Sequence, residues 1–297
     1  MSQVKKNILK CLPGWTIQSV VFLGEGDFCA AYLVNDKWIF RFAKHLAALE
    51  SLRREVCLLP KLFAQITLPI PLPEVNCFDE RNVKTSFIAY RILPGRALVP
   101  GIYDSLSDEN KTSIAEQTAY FLNQMHSANT AAAENCGVPQ NDYVGQYSYL
   151  QNQARKFLFP VINQTERDFI ERTVEKYLKS ADNFNFRPAL LHGDLSHDHL
   201  LYDKTTNFIS GVIDFGDMMI GDPAWDFLWL YEDFGADFFR RVLRFYQTTE
   251  ESDLVKRVDN YSLLQAIEWA ADCSEKNDAR LGQAVAKLRS KIKKNEN

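Results

Sequence analysis

Between residues 16 and 42 apolar, β-branched and aromatic side chains alternate or run together, interrupted at Gly24-Glu25-Gly26-Asp27 and at Val34-Asn35-Asp36-Lys37. Both interruptions have turn chemistry, so the pattern predicts three antiparallel strands. From Leu46 to Gln65 the period changes. Leu49, Leu52, Val56 and Leu59 recur at helical spacing while Glu50, Arg53, Arg54 and Glu55 fill other faces, which predicts one amphipathic helix. Leu68 to Pro73 reads as a proline-punctuated loop, and Val83 to Ile92 as another strand ending at a hinge, Leu93-Pro94-Gly95.

Beyond the hinge helical periodicity takes over. Ser107 is placed to cap a helix whose first turn holds Asp108 and Glu109 and whose buried face is Ile114, Thr118, Phe121, Leu122 and Met125. Further helices are expected around residues 144–159, 163–180, 222–247 and 251–293. Between 189 and 215 short apolar runs (Ala189-Leu190-Leu191, Leu200-Leu201-Tyr202, Phe208 to Phe215) flank dense polar groups instead. The expected architecture is α+β, a small β-rich N-lobe over residues 1–93 and a larger, mainly α-helical C-lobe over residues 94–297.

Composition narrows the function classes. The 297 residues carry 34 Lys+Arg against 38 Asp+Glu, a formal charge of −4, which gives no general attraction to nucleic acid or anionic lipid. Neither is expected as a partner. Residues 1–15 hold Lys5, Lys6 and Lys10 without an apolar core segment, so no secretion signal or membrane span is expected. The six cysteines are scattered, with no Cys-x-x-Cys pair, and read as free buried thiols of a cytoplasmic protein.

The densest chemistry is His192-Gly193-Asp194-Leu195-Ser196-His197-Asp198-His199, which holds three of the five histidines, with Asp214-Phe215-Gly216-Asp217 following. Each cluster is bracketed by strand-like residues, and a rigid scaffold of that kind presents catalytic groups. A carboxylate such as Asp194 can orient and deprotonate a hydroxyl, and His199 with Asp214 can hold a divalent cation. Those are the parts a phosphoryl transfer needs. Upstream, the Gly24 and Gly26 turn lets backbone N–H groups approach phosphate oxygens. Arg41 on the third strand and Glu55 on the next helix suit an ion pair that presents a guanidinium to the phosphates. A zinc site built from His192, His197 and His199 lacks the compact ligand set such sites use.

These residues, in this order, resemble the protein-kinase-like aminoglycoside phosphotransferases, and within them the 2″-phosphotransferases. The likeness rests on Gly24-Glu25-Gly26 with Cys29 and Tyr32, Ile39-Phe40-Arg41-Phe42, Glu55-Val56, Asp194-x-Ser196-x-Asp198-His199, Asp214-Phe215-Gly216-Asp217 and Asp222-Pro223. The resemblance implies a bilobal protein-kinase-like fold and a nucleotide-dependent O-phosphotransferase that serves antibiotic resistance. It implies Asp194 as catalytic base, Mg²⁺ held by His199 and Asp214, and ATP or GTP gripped by Arg41 with Glu55. Tyr90 and the segment Ile92 to Pro94 would border the purine. Arg41 stands where lysine is common, and His199 where most kinase-like folds have Asn. A monomer acting on a small cationic acceptor is expected.

Charge speaks to that acceptor. From Val212 to Arg240 there are seven acids and one base, a surplus that attracts a polycation. By resemblance Asp217 and Glu232 are the leading substrate contacts, with Asp233 and Glu268 behind them. A macrolide, choline or another hydroxylated metabolite is the alternative acceptor, and a non-catalytic nucleotide-binding module the alternative class. Other polar residues read as structural: His192 as a buried imidazole holding its loop, Asp222 as a helix cap before Pro223, and Asp226 likewise. His197 is expected to face solvent or substrate and receives no role.

Overall fold

The computed structural model describes residues 3–247 and 251–296. The chain opens with helix α1 (Gln3–Cys11) and a meander of β1 (Val20–Glu25), β2 (Cys29–Val34) and β3 (Trp38–Ala43). Helix α2 (Leu46–Phe63), β4 (Val75–Cys77) and β5 (Phe87–Arg91) follow, and the five antiparallel strands order as β1-β2-β3-β5-β4. Alternation along β3 sorts its side chains by face. Phe40 and Phe42 pack with Phe87 and with Ile8 of α1. Ala43 packs with Ile88 and with Ala48, Leu49 and Leu52 of α2. Arg41 shares the odd-numbered register with Ala43, and so sits on the α2 side of the sheet.

The chain continues through β6 (Arg96–Ala97), α3 (Pro100–Asp104), α4 (Asp108–His126) and α5 (Thr130–Glu134). Ser107 caps α4 by accepting from the Asn110 N–H at 3.2 Å, and every one of the five positions read as its buried face is buried. Helices α6 (Tyr143–Gln153) and α7 (Gln164–Lys179) precede β7 (Ala189–Leu191), β8 (Leu200–Asp203), β9 (Phe208–Val212) and β10 (Met219–Gly221). Then come α8 (Leu228–Leu243), α9 (Glu251–Glu275) and α10 (Leu281–Glu296). The α+β class is as expected, an antiparallel sheet first and helices dominating after it. Helix α1, β4 and the break between α9 and α10 have no counterpart in the sequence reading.

Two compact units form. One joins the residues up to Pro139 with Ala189–Ile220 and Trp229–Gln247. The other joins Gln140–Pro188, Gly221–Leu228 and the described residues after Gln247. The grouping differs from a cut at residue 93, because the N-terminal sheet and strands β6 to β9 share a unit. Within it Ser210 Oγ donates to the Pro94 carbonyl at 2.6 Å, and the Val212 N–H to the Pro69 carbonyl at 2.9 Å.

In the second unit Asp222 is fully buried and accepts from Arg257 Nε at 2.7 Å, from the Tyr261 hydroxyl at 2.8 Å and from the Ala224 N–H at 3.0 Å. It is the cap that the Asp-Pro pair indicated. The rings of Tyr143, Tyr147 and Tyr177 each pack with that of Tyr261, the donor to Asp222. Asp226 is buried as well.

The cysteine reading needs correction. Cys11 is joined to Cys77 and Cys57 to Cys136, leaving Cys29 and Cys273 as buried thiols. The partners lie 66 and 79 residues apart, so only tertiary structure reveals the pairing. Among the described residues no helix is long and apolar enough to cross a membrane.

Candidate active site

A continuous chain of polar contacts runs through the first unit. Arg41, 6 % exposed, donates from one terminal nitrogen to Glu55 Oε2 and from the other to Asp214 Oδ1, each at 2.7 Å. Ser51 precedes Glu55 by one helical turn and so lies on the same face of α2. Its buried hydroxyl donates to the Gly216 carbonyl at 2.7 Å. Helix α2 therefore holds both the cation and the backbone of the Asp-Phe-Gly-Asp segment. Burial pushes the Glu55 carboxyl up to about 7, against the pull of Arg41. Burial also works against the charge on Asp214, yet Arg41 and then His199 hold its carboxyl below the ordinary value.

Asp214 has φ 63° and ψ 70°, a left-handed conformation that few non-glycine residues adopt. Such backbone persists where surrounding contacts over-determine it, and it clusters at functional sites. The left-handed Gly193 faces the same segment, where a Cβ would overlap the Asp217 carbonyl oxygen. Only glycine lets the two strands' loops approach this closely.

The imidazoles do separate jobs. Fully buried His192 donates from Nε2 to the Ile213 carbonyl at 3.0 Å, while its Nδ1 accepts the Asp194 N–H at 3.3 Å. That is the loop-holding histidine of the sequence reading. His199 Nδ1 lies 2.6 Å from the Asp194 carbonyl oxygen, which can only accept, so in the neutral ring Nδ1 carries the proton. Its Nε2 lone pair then faces Asp214 Oδ2 at 3.7 Å. Two acceptors opposed in this way fit a cation between them, and the bond at Nδ1 fixes the tautomer as metal-bound histidines require. Among the described residues no group of three or more ligating side chains forms. Mg²⁺ takes carboxylate, water and phosphate oxygens, so Asp214 offers the ligand type it prefers and His199 one that suits it less well. Asp194 Oδ2 is 3.5 Å from His199 Nδ1.

Other expected residues fall as follows. Gly24 lies at a bulge in the β1–β2 pairing, and the Gly26 N–H closes the turn on the Cys29 carbonyl at 3.0 Å. Lys44 Nζ donates to the Gly26 carbonyl of the same turn at 2.9 Å. Tyr90 is buried opposite Ile39, while Ile92 is exposed and donates its N–H to the Lys37 carbonyl at 2.9 Å. Asp217 is exposed, and partial desolvation with repulsion from Asp194 and Asp214 raises its carboxyl. Glu232 and Asp233 are adjacent and half-buried on α8. Glu268 lies on α9 in the other unit, half-buried, with burial and Asp272 pushing its carboxyl up.

His197, expected to face solvent or substrate without a role, is partly exposed and paired with Asp233, at 2.8 Å from Nδ1 and 2.9 Å from its own N–H. The Ser51 bond and the Arg41 bridge to Asp214 were also absent from the sequence reading. A serine one turn before Glu55 on an otherwise leucine-rich helix was the available signal for the first.

The phosphotransferase enzyme family profile matches residues 23–258. The chain belongs to that family. As a member of it, the chain is similar to solved phosphotransferases along nearly its whole length. Against an aminoglycoside 2″-phosphotransferase of type IIIa with GDP and kanamycin, the TM-score is 0.89 and identity 28 %, covering 98 % of both chains. A GDP complex of a type IIIa enzyme gives 0.88, 28 %, and 98 % and 97 % coverage. Viomycin phosphotransferase of Streptomyces vinaceus is 25 % identical over 241 residues, 79 % of this chain and 80 % of that protein. The probable acyl-CoA dehydrogenase IBR3 of Arabidopsis thaliana is 21 % identical over 216 residues, and there the match spans 70 % of this chain but only a quarter of the relative.

Proposed function

We propose that this phosphotransferase moves the γ-phosphoryl group of a nucleoside triphosphate to a hydroxyl of an aminoglycoside, at the 2″ position. The observation that carries the reading is the contact chain Glu55, Arg41, Asp214, His199, Asp194, in which a candidate base, a cation site and a buried guanidinium are neighbours. Phosphoryl transfer is mostly positioning and charge stabilisation, and these are groups for both.

In this reading Asp194 accepts the proton of the acceptor hydroxyl as its oxygen bonds to the γ-phosphorus. The bond from that phosphorus to the β-γ bridging oxygen breaks, and the nucleoside diphosphate leaves with the electron pair. Arg41, held by Glu55, meets the nucleotide phosphates, and Tyr90 with residues 92–94 borders the base. His199 Nε2 and Asp214 would hold Mg²⁺, which when bound neutralises charge on the phosphate oxygens. Asp217 and Glu232 receive ammonium groups of the acceptor. The seven-to-one surplus of acids over residues 212–240 favours a polycation over a singly charged macrolide or choline. The kanamycin and GDP bound by the structural relative support the same acceptor and donor classes.

Coupled turnover of ATP or GTP with kanamycin or gentamicin tests the reading. Turnover that needs the acceptor and disappears in a folded Asp194→Ala variant is expected. Nucleotide binding without any phosphorylated product would replace the reading with a non-catalytic nucleotide-binding module.

A further inference from the structure

The loop from Asp194 to His199 is fixed at its two ends from within. At one end His192 holds the Asp194 N–H, and at the other the Ile213 N–H donates to the His199 carbonyl at 3.0 Å. Its outer bend has a different anchor. Asp233 on α8 reaches across with one carboxylate oxygen, Oδ2, and accepts both the His197 backbone N–H at 2.9 Å and His197 Nδ1 at 2.8 Å. The two side chains are 17 % and 27 % exposed, so solvent competes only partly for these bonds. Donating twice to one oxygen fixes the backbone of residue 197 as well as its ring.

We propose that His197 and Asp233 are positioning residues that hold the outer bend of the loop, and with it the Asp194 carboxylate and the His199 ring. This exchanges the sequence assignments: His197 gains a role, and Asp233 acts on the loop rather than on the acceptor. The inference rests on the proposed phosphoryl transfer, because placement of Asp194 matters only if it receives the hydroxyl proton. A carboxylate already accepting two hydrogen bonds on one oxygen is a poorer receptor for a substrate ammonium than the exposed Asp217. Displacing a reacting group by about an ångström costs on the order of a hundredfold in rate, so a single loop anchor is a large lever.

The test compares His197→Ala, His197→Asn, Asp233→Ala and Asp233→Asn in the full chain, with kanamycin and GTP or ATP, alongside thermal melts. Positioning predicts that His197→Ala and Asp233→Ala each lower kcat about ten- to a hundredfold with KM for kanamycin within about twofold of wild type. The double alanine variant should be no worse than Asp233→Ala alone, since that substitution already removes both bonds, whereas His197→Ala leaves the backbone one in place. His197→Asn, whose amide can donate to Asp233, should recover most of the loss. Asp233→Asn keeps an acceptor oxygen and should retain KM. If Asp233→Asn instead raises KM about tenfold or more while kcat holds, Asp233 is an ammonium receptor and the inference is overturned. Unchanged kcat in folded His197→Ala also overturns it, and the phosphotransfer reading survives. Absence of turnover by wild type with every acceptor and either nucleotide removes both.

Discussion

Replacing Arg41 with lysine tests how far the site depends on a fork rather than a charge. The guanidinium engages Glu55 with one terminal nitrogen and Asp214 with the other, both at 2.7 Å. A lysine ammonium is a flexible point charge and lacks the planar fork that spans two carboxylates. Glu55 is fully buried, so loss of its partner leaves a desolvated acid, whereas the Asp214 side chain is 43 % exposed and partly screened by water. Breaking a buried pair by removing one member costs about 3–5 kcal/mol, which sets the expected destabilisation of Arg41→Ala. Arg41→Lys loses the geometry of one charge-assisted bond and should cost about 1.5–3 kcal/mol. If that loss falls wholly on the transition state, kcat/KM for the nucleotide drops by roughly 10- to 160-fold. Urea unfolding and turnover would be measured for both variants, for Glu55→Ala and for the double alanine variant. The reasoning fails if the 41–55 coupling energy is below about 0.5 kcal/mol, the level at which distant sites already add, or if Arg41→Lys matches wild type in both assays.

Other contacts give independent expectations. Ser51→Ala should lower stability by about 1–2 kcal/mol in urea unfolding, because the buried Gly216 carbonyl loses its donor; no change would mean that water replaces the hydroxyl there. Asp222→Ala leaves Arg257 buried beside a missing partner and should cost about 3–5 kcal/mol, with Asp222→Asn milder in the same assay. Glu166 is held below its ordinary carboxylate value mainly by Arg289, against its burial. The unfolded chain therefore takes up that proton first as pH falls, so the stabilisation is complete above the ordinary value and lost as pH drops through the folded one. Unfolding measured from neutral pH downward should show a shallower loss in Glu166→Gln than in wild type. Thiol titration of the unfolded chain without reductant should count two free cysteines, Cys29 and Cys273; a count of six would refute the pairing.

Legibility followed the range of the interactions. The β1–β3 meander and α2 are set by local alternation and periodicity, and their limits fall within a few residues of the pattern. Ser107 and Asp222 were readable as caps because capping involves neighbours in sequence. Asp194, His199, Asp214, Arg41 and Glu55 were readable as a set because type and order are encoded in the chain. Their connection was not: the 173-residue separation of Arg41 and Asp214 and the 165 residues between Ser51 and Gly216 carry no local signal. The Val83–Ile92 strand was read too long because Val83–Thr85 forms a 3₁₀ turn that β-branched composition conceals. The pairing of His197 carried no local signal because Asp233 lies 36 residues on, in α8.

If the residues around Asp194 drive phosphoryl transfer to a polycationic sugar, the product itself carries the proof. A mixed aminoglycoside panel incubated with the chain, Mg²⁺ and ATP or GTP would be analysed by mass spectrometry, with fragmentation to locate the modified ring. An aminoglycoside gaining a single phosphoryl group is expected, with none formed by Asp194→Ala. A panel returned unmodified by a folded, nucleotide-binding protein, or product formed equally well without the Asp194 carboxylate, would contradict it.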